Sequence, residues 1–180
     1  MKYLIMCEGP NELAIINILL ENNMLICRED DLLGLRPYHA RQIDKSALIK
    51  NELNMYTGEP LSILRIGDKQ SDELRIPKEY ADKINANAIR RYCTKPELEM
   101  LLIISEGMQK DYEKKKSEMK PKDFAKQHIK YGRLKYNNSS AFFKDYYGDN
   151  PELLKQAIIN YRTLNGAHRK DELYLADLLL

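Results

Sequence analysis

Acidic residues follow three strand-like runs in this sequence, the last of them interrupted by Arg90 and Arg91. Glu8 follows Tyr3 to Cys7, and Asp68 follows Leu61 to Ile66, with Asp72 and Glu73 a few residues on. Glu97 and Glu99 follow Ala88 to Cys93. Apolar runs of this length, bounded by turn residues, read as buried strands of a parallel sheet. Ligands of open α/β sheets gather outside the carboxyl ends of the strands. If these strands are parallel neighbours, their terminal carboxylates share one edge of the sheet. Clustered carboxylates repel one another unless a cation neutralises them. An all-oxygen donor set suits Mg²⁺ or Mn²⁺. Such an ion can bind phosphate oxygens and activate water against a phosphodiester. Taken singly, each acid also reads as an ordinary complement to a helix N-terminus.

The turn after the first run is the most informative. Gly9 permits a backbone conformation that other residues resist. Pro10 and Asn11 suit a turn and the opening of a helix, which the pattern carries from Asn11 to Glu21. Glu12 falls in the first turn of that helix, close to Glu8. It either complements the helix dipole or joins the acidic group.

The elements that must hold these residues alternate strand and helix as far as Glu106, the pattern of an α/β fold with a mostly parallel sheet of about four strands. A short strand is expected near Leu33 to Tyr38 and a helix over Ser46 to Tyr56. A further helix is expected over Pro77 to Ile84. Thr94 is placed to cap the helix that runs through Leu98 and Ile104, with Pro96 near its first position. Residues 107–180 read as a basic, mainly helical extension packed on the 1–106 core. Helices are expected there over Pro151 to Leu164 and Lys170 to Leu180, separated by Asn165-Gly166.

The totals exclude several classes. A chain of 180 residues supports one ordinary core, and 43% hydrophobic residues are enough to fill it. No apolar stretch approaches the ~20 residues of a membrane span, so no membrane association is expected, and the N-terminus does not read as a signal peptide. Cys7, Cys27 and Cys93 are an odd number without close pairing, as expected of buried thiols in a cytoplasmic protein. There is no Gly-rich phosphate loop, hence no ATPase of the chain's own.

Between Met108 and Lys135 stand ten basic residues against four acidic ones, in a chain whose net charge is only +2. Lys114, Lys115 and Lys116 form its densest run, and Tyr112, Phe124, Tyr131 and Tyr136 are interspersed. Such a segment can follow a phosphate backbone and stack on unpaired bases. It is equally the pattern of a solvated helix whose rings face the core.

Glu8-Gly9-x-x-Glu12, an aspartate after a later strand, and Lys95-Pro96-Glu97-Leu98-Glu99 opening an apolar helix together resemble a TOPRIM domain. The small OLD-family-type TOPRIM proteins of phage and anti-phage systems are the most similar in flavour. The resemblance spans roughly Met1 to Glu106. It implies a Rossmann-like core and a Mg²⁺- or Mn²⁺-dependent nuclease acting on DNA or RNA. Glu8 would bind metal or act as general acid/base, and Asp68 would be a catalytic metal ligand. Glu97 or Glu99 would complete the shell, and Lys69 and Lys95 would contact phosphate. Relatives of this type often work with an ATPase domain, so the resemblance admits a separate ATPase partner and leaves a homo-oligomer open. The family pattern has Asp-x-Asp after its third strand; here Lys69 and Gln70 follow Asp68, and Asp72 is the substitute ligand. This departure implies one ion rather than two, or a non-catalytic binding module that keeps the TOPRIM shape.

Overall fold

Tyr3–Cys7 forms the first strand, β1, buried from Leu4 onward. The chain turns at Glu8-Gly9 and enters helix α1 (Pro10–Glu21). Pro10 occupies the start of that helix, where a missing N–H costs nothing. Two single turns of 3-10 helix, Glu29–Asp31 and Leu33–Leu35, precede the short strand β2 (Tyr38–His39). Ser46 then caps helix α2 (Ala47–Met55), its hydroxyl accepting from the Ile49 amide at 3.3 Å. Strand β3 (Leu61–Gly67) is buried along its whole length, and β4 (Ile84–Cys93) follows. After helix α3 (Glu99–Ser105) come α4 (Gln109–Lys115) and α5 (Pro121–His128). A small hairpin of β5 (Lys130–Tyr131) and β6 (Leu134–Lys135) leads to α6 (Ser140–Gly148) and α7 (Pro151–Leu164). The last strand is β7 (Leu173–Tyr174). The computed structural model describes residues 1–68, 73–94, 98–164 and 172–180.

The main sheet has five strands, all parallel, in the order β2-β1-β3-β4-β7. Alternate residues point to opposite faces. Ile5, Cys7, Leu64, Ile66 and Tyr92 join a large core with residues of α1, α3, α6 and α7. Leu4, Met6, Leu61 and Ile63 join a smaller one with Ile49 and Leu53 of α2. Both faces are covered at β1 and β3, which is why those two strands read as mostly apolar runs, whereas β4 is exposed over much of its length and carries Arg90 and Arg91. Residues beyond 107 belong to the large core, with Phe124, Phe143, Tyr147 and Ile158 buried in it, and they supply the fifth strand. Among the described residues no helix is long and apolar enough to cross a membrane.

The chain departs from the sequence pattern at four places. The strand expected over Leu33 to Tyr38 is only Tyr38–His39, preceded by a 3-10 turn in which Gly34 and then Leu35 adopt positive φ. The helix expected over Pro77 to Ile84 shrinks to one 3-10 turn, Lys78–Tyr80, because Ile84 already pairs with Leu61 at the start of β4. Thr94 is not a cap, since α3 begins at Glu99. The described part of the last expected helix is a strand and a 3-10 turn, Leu175–Leu178, because Leu173 and Tyr174 pair with Tyr92 and Cys93 of β4. Asn165 and Gly166 lie outside the described residues.

β1 has β2 on one side and β3 on the other. The connections leaving β1 and β3 thus diverge to opposite sides of the sheet. That divergence opens a crevice beyond their carboxyl ends, the usual ligand position in such sheets.

Candidate functional site at the carboxyl ends of the strands

The carboxyl ends of four neighbouring strands, β2, β1, β3 and β4, are locked to one another. The Glu8 amide donates to the Ile66 carbonyl at 2.8 Å, the Thr94 amide to the Gly67 carbonyl at 3.1 Å, and the Ala40 amide to the Cys7 carbonyl at 3.0 Å. Glycine is required at Gly67; at Gly9 the backbone is extended (φ −134°) rather than in the glycine-favoured region expected from the sequence, and an added Cβ would meet only the movable carboxylate end of Glu12. A Cβ on Gly67 would lie 2.5 Å from the Cβ of Glu8, and one on Gly9 would lie 2.5 Å from Oε2 of Glu12. The missing side chains leave room for the Glu8 and Glu12 carboxylates to fold across the backbone.

Beyond these ends lies a cleft of about 250 Å³. Glu12 from α1, Asp68 after β3 and Glu99 at the head of α3 contribute carboxylates to it. Burial raises the Glu12 carboxyl above its ordinary range, opposed by its backbone hydrogen bond, and the charges of Asp68, Glu8 and Glu99 raise it further. Each of those three acids is thus close enough to resist ionisation of Glu12. The Cys7 thiol beneath is also raised, by burial first and by Glu12 second.

Two neutral oxygens in the cleft wall are left without a partner. The Oδ1 of Asn11 and the Oγ1 of Thr94 are buried and accept or donate no hydrogen bond among the described residues. Thr94 is only 4% exposed. Buried polar atoms in folded chains are almost always satisfied, by protein groups, water or a ligand, so both can bind water or a ligand in the cleft.

Glu99 is anchored from the extension. It is 4% exposed, and the Tyr136 hydroxyl donates to its Oε1. The Asn138 amide bridges the same group: its NH₂ donates to Glu99 Oε1 at 3.1 Å, and its oxygen accepts from the Lys122 ammonium at 2.9 Å. Asn138 holds a positive φ of 63°, a conformation asparagine tolerates better than most residues. Tyr136→Phe removes a hydrogen bond to a buried carboxylate, a loss of about 1.5–3 kcal/mol. A chain of this size should then melt ~3–12 °C lower. Thermal unfolding followed by circular dichroism checks this, and an unchanged midpoint would detach Tyr136 from Glu99.

Glu8 lies beside the cleft rather than in its wall. Its Oε1 stands 2.9 Å from the Arg41 guanidinium, and Arg41 itself is more than half exposed. Glu8, Asp68 and Glu99 are thus brought to one edge, as their positions after strands require. Asp72, Glu97, Lys69 and Lys95 lie outside the described residues.

No family model, curated protein or solved structure matches this chain. The site must therefore be read from its own chemistry. Its donors are all oxygens, from carboxylates, an amide and a hydroxyl, a hard set suited to Mg²⁺ or Mn²⁺. Among the described residues no three His, Cys, Asp or Glu side chains converge closely enough to grip an ion as they stand.

The lysine run is less open to ligands than its density implies. Lys114 pairs with Asp111 at 3.4 Å and Lys116 with Glu113 at 2.5 Å, while Lys115 lies 6.0 Å over the Phe124 ring. Tyr112, Phe124 and Tyr136 are buried in the large core, so those three rings are not available to stack on bases. Only Tyr131 stays partly open, at 39%.

Sequence reasoning missed Asn11, Arg41, Thr94, Lys122, Tyr136 and Asn138 as members of the site, and left Glu12 undecided. Glu12 alone carried a local signal, its position one helical turn from Glu8. Asn11 and Thr94 are near Glu12 and Glu99 in sequence but suit ordinary turn and cap roles, while Arg41, Lys122, Tyr136 and Asn138 are brought in across more than twenty residues.

Proposed function

We propose that this chain is a Mg²⁺- or Mn²⁺-dependent phosphodiester-processing protein of TOPRIM-like build, acting on DNA or RNA. The observation that carries the reading is the cleft itself: three carboxylates, two unpartnered buried oxygens and one lysine at the carboxyl ends of parallel strands. Glu12, Asp68 and Glu99 would line the position of a hydrated ion, held partly through its waters because no three acids converge as they stand among the described residues, with Asn11 and Thr94 oxygens nearby. When bound, the ion supplies charge neutralisation at phosphate oxygens and lowers the pKa of bound water. Lys122, already directed at the cleft by Asn138, offers an ammonium to a second phosphate oxygen. Burial and the neighbouring acids raise Glu12 above the ordinary carboxyl range, and a cation bound among them would relieve that repulsion. Arg41 holds Glu8 against the switch point, and we assign Glu8 to positioning the cluster rather than to proton transfer.

One observation favours a second reading, a binding module without catalysis. Arg41 on Glu8 and Lys122 beside Glu99 place two cations among the acids without any metal. Titration calorimetry with Mn²⁺, paired with a cleavage assay on labelled DNA and RNA, separates the two. The catalytic reading expects one bound ion per chain and slow, metal-dependent cleavage. In Asp68→Asn the affinity should fall by at least about ten- to a hundredfold, since even outer partners of a metal site are worth that much. No Mn²⁺ binding by the wild type would end the catalytic reading.

A further inference from the structure

The hairpin formed by β5 and β6 has two unlike faces. Lys130 lies directly opposite Lys135, and Tyr131 opposite Leu134. The pairing continues inward, with the Tyr136 amide donating to the Ile129 carbonyl at 3.0 Å. Alternation therefore places Ile129, Tyr131, Leu134 and Tyr136 on one face. Ile129 and Tyr136 are buried, and the Tyr131 ring meets Tyr146 edge-on at 5.8 Å. The other face presents Lys130 and Lys135, and Arg133 sits at the turn with Gly132, whose φ is +58°.

Like charges directly opposite on a ribbon destabilise it. No acidic partner answers that charge among the described residues. Among the described residues Lys130, Arg133 and Lys135 make no ion pair, unlike Lys114 and Lys116. From Phe124 to Lys144 the sequence contains no Asp or Glu, while Lys126, Lys130, Arg133, Lys135 and Lys144 are all basic. Every residue from Lys130 to Lys135 is exposed. Lys135 also adjoins Tyr136, whose hydroxyl rests on Glu99, and Asn138 follows in the cleft wall. An unneutralised basic ribbon is thus rooted in the acidic cleft.

We propose that this hairpin binds the phosphate backbone of a nucleic-acid strand and delivers it to the cleft. The role rests on the phosphodiester reading of the cleft. Unpaired lysine and arginine side chains on an exposed ribbon match a regular polyanion, and their binding releases its counterions. The buried pair Ile129–Tyr136 holds the ribbon's base in place. The strand's phosphates then run from Lys130, Arg133 and Lys135 towards Lys122.

The test is fluorescence anisotropy with a labelled 20-nucleotide single strand and its duplex, in EDTA, across a salt series. The variant carries Lys130→Gln, Arg133→Gln and Lys135→Gln, and its fold is verified by thermal unfolding. Its affinity at low salt should fall at least about tenfold, and the slope of log affinity against log salt should flatten by about 2 on the single strand and nearer ~3 on the duplex for three lost contacts. The matching Lys114→Gln, Lys115→Gln, Lys116→Gln variant should bind like the wild type. Unchanged binding by the hairpin variant, an equal loss in the lysine-run variant, or no binding by the wild type at low salt would overturn the proposal. So would hairpin-dependent uptake by phosphatidylserine vesicles without nucleic-acid binding. Because EDTA removes divalent ions, a failure of the metal reading appears only in the Mn²⁺ titration and leaves this result standing.

Discussion

Glu12→Gln will melt at a higher temperature than the wild type at neutral pH, and it will bind Mn²⁺ at least about tenfold more weakly. The two effects have opposite signs and one cause. Burial, then Asp68, Glu8 and Glu99, raise the Glu12 carboxyl in the folded chain. A carboxyl raised on folding favours the fold only while it is protonated. Its contribution is fully present below the unfolded value of about 4.3, and it is lost as pH rises through the higher folded value. Glutamine does not titrate, so it escapes that loss. The melting difference should therefore be smallest in acid, grow as pH rises and level off above the folded value. Relief of about 1 kcal/mol corresponds to ~2–4 °C for a chain of this length. Added Mn²⁺ should stabilise the wild type more than the variant, because only the wild type keeps the full acidic set. A melting difference independent of pH would show that Glu12 is not held against its neighbours' charges. Unchanged Mn²⁺ affinity would remove it from the site.

The parts of this site that were legible in the sequence are those written in local periodicity. The change from the apolar run Tyr3–Cys7 to the helical pattern after Pro10 marks a strand, a turn and a helix, and so places Glu8 at a strand end. The same reasoning places Asp68 and Glu99, and the structure brings all three to one edge. Strand order is not written locally. That β1 separates β2 from β3, opening the crevice, follows from which strands pair. Thr94 read as a helix cap because Pro96 stood near a helix start. In the fold it extends the sheet through its amide and turns its hydroxyl into the cleft wall. Glu172-Leu-Tyr-Leu-Ala has helical composition, yet pairing with Tyr92 and Cys93 makes Leu173–Tyr174 a strand, a case of tertiary contact overriding propensity. Lys122, Tyr136 and Asn138 reach Glu99 from more than twenty residues away, and nothing near Glu99 announces them. The hairpin did carry a signal: basic and apolar residues alternate around Gly132 in a stretch without acids. Lysine density drew attention to the Lys114 run instead, whose charges are answered by Asp111 and Glu113 one turn away.

Gly67→Ala will cost the fold about 1–3 kcal/mol or more, the range for overpacking a filled interior, and lower the melting temperature by ~2–12 °C. The new Cβ would fall 2.5 Å from the Cβ of Glu8 and against its Oε2. The carboxylate end could swing aside, but a Cβ moves only with its backbone. The backbone there is tied on both sides, by Glu8 to Ile66 and by Thr94 to Gly67. Relief therefore requires β1 and β3 to part at their carboxyl ends, where Glu8 meets Arg41 and Asp68 enters the cleft. Stability and Mn²⁺ affinity should fall together, which a clash far from the cleft would not produce. Removing the opposing atom tests the cause. Glu8→Gly alone should destabilise, through lost charge pairing and added chain freedom. Combined with Gly67→Ala it should recover part of the loss, giving a favourable coupling of about 1 kcal/mol or more in the double-mutant cycle. Strictly additive losses would place the strain elsewhere. A Gly67→Ala chain that melts within a degree of the wild type would mean that Glu8 does not lie across β3, and the crowding of carboxylates at this edge would lose its structural basis.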